Sequence, residues 1–165
     1  MPKNERNSID RPEQQTDSAN QSRVKTPNAA AAGTADLLRP QDLARLDILQ
    51  HVSIESVWGL LEHCDIRILL PGQMLLVAGQ TNQTMYMILE GKLSVHLEDV
   101  GDDPVAFLEA GQTVGEISVI DNSPASAHVV ALDTTRLLAV GEDTFWRMID
   151  ASHNFSKNLL LLLTR

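Results

Sequence analysis

A mainly β domain with flanking helices is the fold class this 165-residue chain predicts, and three observations carry that prediction. Short apolar runs recur about every eight to twelve residues between Asp65 and Val140. Gly or Pro stands between most of them. Longer runs of apolar residues at helical spacing stand before and after that stretch, with one short helical segment, Glu116–Ile120, inside it. Together they describe an antiparallel β jelly-roll barrel of about eight short strands, with helices at its N-terminal and C-terminal ends.

The elements follow in order. Residues 1–36 are rich in Asn, Gln, Ser, Thr and Pro and poor in apolar side chains, so they read as a disordered N-terminal arm. The folded domain is expected over 37–165. Pro40 suits a first helical turn, and Leu43, Leu46 and Leu49 follow at helical spacing. Ser53 reads as the N-cap of a second helix, with Ile54, Val57, Leu60 and Leu61 as its apolar stripe and Val52 placed to staple onto Val57. From Asp65 the period falls to two residues. Ile66–Leu70 and Met74–Ala78 are strands closed by Pro71-Gly72 and Gly79. Met85–Leu89 is apolar on both faces, as in a covered strand. In the next strand Leu93, Val95 and Leu97 alternate with Ser94, His96 and Glu98, which predicts a half-exposed strand with His96 on its solvated side. Val105–Leu108, Ala127–Ala131 and Arg136–Val140 complete the series. Glu142 and Asp143 then open a helix carrying Phe145, Met148 and Ile149. A last helix after Ser152 carries Phe155 and the run Leu159–Leu163, whose leucines point all around the axis.

Charge excludes several functions. The chain has 13 basic and 22 acidic side chains, net −9, and all of that excess lies in residues 37–165. Phosphate backbones and anionic lipids are held through Lys and Arg, so direct nucleic-acid or membrane binding by this chain is not expected. Cys64 is the single cysteine, which leaves no intrachain disulfide or four-cysteine metal site. No secretory signal and no span-length apolar run is present, so a cytoplasmic protein is expected. His51, His63, His96, His128 and His153 are scattered, with no His-x-His pair for a metal enzyme and no nucleophile elbow.

One stretch is more specific than the outline. Met85-Tyr86-Met87-Ile88-Leu89-Glu90-Gly91-Lys92 is followed by Leu108-Glu109-Ala110-Gly111-Gln112-Thr113-Val114-Gly115-Glu116-Ile117-Ser118, then by Pro124-Ala125-Ser126-Ala127-His128-Val129 and Leu137-Leu138-Ala139-Val140. This pattern resembles the cyclic nucleotide-binding domain of catabolite activator proteins and protein kinase A regulatory subunits, over about residues 43–165. The resemblance implies a ligand site at Gly115, Glu116, Ile117, Ser118, Ala125, Ser126 and Ala127, the family's phosphate-binding cassette. Glu116 takes the place of the residue that accepts the ribose 2′-hydroxyl. Ala125 stands where the family has the Arg that pairs with the cyclic phosphate.

That departure shapes the functional expectation. A charge-assisted hydrogen bond contributes roughly 1.5–3 kcal/mol, and losing two weakens binding by roughly two to four decades. From Leu93 to Thr135 there are eight acids and no Lys or Arg to compensate. The chain therefore reads as a non-enzymatic regulatory or sensory module with a degenerate cassette, homodimeric through its last helix. The candidate occupants are cAMP, cGMP or another small ligand, with no cofactor implied. Two alternatives stay open: a ligand-free interaction or dimerisation domain, and a genuine cyclic nucleotide-binding input for a separate output module such as a transcription regulator.

Overall fold

The computed structural model describes residues 38–97 and 100–164; the arm expected over 1–36 lies outside them. Helices α1 (Pro40–Leu43) and α2 (Ile54–Leu61) come first, separated by a 3-10 turn at Asp47–Leu49. Strands β1 (Asp65–Leu69), β2 (Met74–Leu76), β3 (Thr84–Glu90), β4 (Lys92–His96), β5 (Ala106–Glu109) and β6 (Thr113–Val114) follow. Helix α3 (Glu116–Asp121) interrupts the strands before β7 (His128–Ala131) and β8 (Thr135–Gly141). Helices α4 (Glu142–Ala151) and α5 (His153–Leu162) close the described chain. The strands form two four-stranded antiparallel sheets, ordered β1-β8-β3-β6 and β2-β7-β4-β5.

Alternation along β3 explains why its sequence is apolar on both faces. Tyr86 and Ile88 join Leu93, Val129, Ala131 and Leu137 in a cluster built from both sheets. Met85, Met87 and Leu89 face the other way and pack with Leu43, Leu61, Phe145 and Phe155 of the helices. The first sheet is thus covered on both sides, and water is excluded from both. Phe145 meets Phe155 edge to face at 6.0 Å, which ties α4 to α5. Val52 and Val57 are both buried in the helical cluster, at the positions a hydrophobic staple requires.

Four details differ from the sequence reading. The single helix expected through Leu43, Leu46 and Leu49 is broken: all three are buried, but the backbone opens at Leu46 so that the Asp47 N–H donates to the Gly111 carbonyl at 2.9 Å. Ser53 holds the N-cap position without a side-chain bond; instead the Ser56 hydroxyl donates to the Ser53 carbonyl at 2.7 Å. His96 is buried rather than solvated, and so is Ser94. His96 Nδ1 lies 3.0 Å from the Asp102 carbonyl and Nε2 2.9 Å from the Ser94 hydroxyl, because the loop at Asp102 folds over the side of β4 that the alternation left polar. Strand β6 is too short to show as a separate run.

A charged cluster fastens the N-terminal segment to the first sheet. Arg136 on β8 donates to Asp42 at 3.1 Å, with both side chains at or below one-tenth exposure. Arg39 donates to the same carboxylate from its backbone and side chain. Burial raises the Asp42 carboxyl, but these hydrogen bonds from Arg39 and Arg136 outweigh it and hold the group below the usual carboxylate range.

Candidate functional site

Gly115 begins the site. Its φ of +88° places it in the left-handed region, and a Cβ there would stand 2.7 Å from the Thr84 carbonyl. Only glycine makes this turn without strain. The turn sends the chain from β6 directly into α3, and Asn122 (φ +55°) ends that helix. The Ser123 N–H donates to the Asp121 carboxylate at 3.0 Å, and the Ser123 hydrogen bonds hold that exposed carboxyl below its ordinary value.

The loop between β2 and β3 grips both ends of the cassette. Asn82 is buried, and its amide donates to the Thr84 carbonyl at 2.9 Å and the Gly115 carbonyl at 3.3 Å. Three residues earlier, the Gly79 N–H donates to the Ala125 carbonyl at 2.8 Å, and the Ala125 N–H returns to the Gln80 carbonyl at 2.9 Å. Thr81 bridges to Pro124. Sequence reasoning missed Asn82. An Asn in a turn is ordinary, and its target carbonyl is 33 residues away.

Between these anchors lies a pocket of about 100 Å³. Gly115, Glu116, Ile117, Ser118, Ala125, Ser126 and Ala127 all line it, together with Leu76, Val95, Val114 and Val129. The structure therefore brings every residue of the sequence-derived site to one surface. Ala125 is buried and packs in the inter-sheet cluster with Leu76 and Val129. No Lys, Arg or His contributes to the wall. Glu116 is nine-tenths buried, and its Oε2 has no hydrogen-bond partner. Burial raises its carboxyl above the ordinary range, with a smaller opposing effect from its own backbone N–H.

A pocket beside a short helical insertion, within two packed antiparallel sheets carrying terminal helices, marks a β-sandwich domain of jelly-roll type. Comparison with known proteins sharpens that class. The cyclic nucleotide-binding domain profile matches residues 66–152, and the chain belongs to that family. A cyclic AMP receptor protein of Thermus thermophilus is 29% identical over 96 residues, which are 57% of this chain and 44% of that protein. The crystal structure of the Thermus thermophilus catabolite activator protein superposes with a TM-score of 0.65 at 26% identity, covering 72% of this chain and 57% of the other. The regulatory subunit of a cAMP-independent protein kinase A from Trypanosoma brucei shares the fold, with a TM-score of 0.66 at 21% identity over 76% of this chain and 44% of that one. The chain spans less than half the length of the curated relatives it matches. Among the described residues, no helix is long and apolar enough to cross a membrane, and no group of three or more His, Cys, Asp or Glu is placed to hold a metal.

Proposed function

We propose that this chain is a non-enzymatic, cytoplasmic ligand-sensing module in which the cyclic nucleotide cassette is altered, so that cAMP and cGMP bind weakly. The observation that carries this is the pocket wall: Ala125 is buried where the family's cation stands, and no other lining residue is basic. A cyclic phosphate entering this site loses its bulk hydration. In return it meets the Ser118 and Ser126 hydroxyls and backbone groups, with no opposite charge. The shared fold does not decide the matter, since one neighbour of the same architecture is named as cAMP-independent.

Signal transfer would run through the helices. Occupancy of the cassette shifts the balance between two positions of α5 only if the ligand prefers one of them. A hinge at Ser152 suits this route: it is the single residue between α4 and α5, and its hydroxyl accepts from the Phe155 N–H at 3.3 Å. Helix α5 buries Phe155 and Leu159 while Leu160, Leu161 and Leu163 stay exposed, which supports a homodimer through this helix. Calorimetry with cAMP and cGMP tests the ligand reading. The parent is expected to bind each no better than about millimolar, and Ala125→Arg to tighten binding by about tenfold or more. Micromolar cAMP binding by the parent, lost on Glu116→Ala, would refute the altered cassette. Unchanged melting with every nucleotide, together with a stable dimer, would favour a ligand-free interaction domain.

A further inference from the structure

Glu116 lines the pocket with no basic side chain among the other lining residues. Glu116 Oε2 is shielded from solvent and lacks a hydrogen-bond partner, while the remaining wall is Leu76, Val95, Val114, Val129, alanines and two hydroxyls. The sandwich does contain a cation on β1, but Arg67 donates to the Tyr86 hydroxyl at 2.7 Å and lies over that ring at 5.6 Å. Neither of these two residues lines the pocket. The pocket is also small. About 100 Å³ falls below the roughly 300–1,000 Å³ of sites for drug-sized ligands.

Each ligand class meets this wall differently. An anion faces Glu116 with no compensating charge. A neutral alcohol donates a hydrogen bond but leaves the carboxylate unbalanced. An ammonium supplies the counter-charge that the lining around Glu116 lacks, in a site where low polarity strengthens the pairing. Hydrogen bonds between ionised partners are roughly twice as strong as neutral ones. The net charge of −9 also concentrates cations near the surface. We propose that the pocket takes a small organic cation, a protonated amine on a compact apolar body, in place of a phosphate-bearing nucleotide. This rests on the altered-cassette reading above and names the ligand class for the same site.

Benzylamine and its uncharged isostere benzyl alcohol, titrated into the full chain by calorimetry at pH 7 beside cAMP, provide the test. Benzylamine is expected to bind in the millimolar range of a small fragment and about tenfold or more tighter than the alcohol. Glu116→Gln should erase that preference, and Glu116→Asp, which keeps the charge, should retain part of it. Circular dichroism of both variants confirms that the fold persists. Equal binding of amine and alcohol, a preference surviving in Glu116→Gln, or no benzylamine binding at millimolar concentration would each overturn the proposal. Micromolar cAMP binding would overturn the altered cassette and this proposal with it. Failure of both probes would overturn only this one.

Discussion

Glu116→Gln is expected to stabilise the ligand-free domain, and the gain should depend on pH. The native carboxyl is raised by burial, so the folded state holds its proton more tightly than the unfolded chain does. Stability is therefore lost as pH climbs from the ordinary glutamate range, near 4.3, through the raised native value, and stays lost above it. Glutamine keeps the shape and has no charge to bury. A buried polar group without a partner costs about 1–3 kcal/mol, which is a lower bound for a charged one. With an unfolding entropy of about 2.1 cal/mol/K per residue over the described domain, 1 kcal/mol moves Tm by roughly 4 °C. The variant should melt about 4–12 °C above the parent at pH 8, with the gap closing toward pH 4. Scanning calorimetry of both proteins at pH 4, 6 and 8 measures this. A variant that melts at or below the parent at pH 8, or a gap that does not shrink in acid, would refute the reasoning.

Asp42→Asn should cost about 3 kcal/mol by urea titration, near the low end for breaking a buried ion pair, because Glu90 still stands 3.7 Å from Arg136. Since the Asp42 carboxyl is held low, the parent's advantage is full above the ordinary aspartate range and fades as pH falls below it. Asn82→Ala removes the donor that pins the Gly115 carbonyl. Hydrogen exchange should quicken across Gly115–Ser118 with a stability loss of about 1–3 kcal/mol, and unchanged exchange there would count against the clamp. Leu160→Glu with Leu161→Glu should shift sedimentation toward the monomer while leaving the melting of the monomer fold nearly unchanged, because both side chains are exposed.

The parts of the fold that could be read in the chain are those set by neighbours in sequence. Strand spacing, the both-sided apolar character of β3 and the apolar stripes of α2, α4 and α5 follow from local periodicity. Gly91 is of the same kind, with φ +92° and only 2.6 Å between a Cβ placed there and the Thr135 hydroxyl. Alternation failed on β4, because a period of two says which residues share a face but not whether a loop covers it. Ser94 and His96 lie under the loop at Asp102.

The sequence by itself carried the antiparallel jelly-roll strands, their helical flanks and the family resemblance, because periodicity, turn chemistry and short motifs are written locally; the seven expected cassette residues follow from that resemblance. Only the tertiary structure decided what those residues meet. It joined Asn82 to Gly115 across 33 positions and Arg136 to Asp42 across 94. It also buried Glu116, one oxygen of which is bare, in the same pocket lining as Ala125. Whether a charge is answered or left alone depends on groups distant in the chain and close in space, which no local pattern in the sequence records.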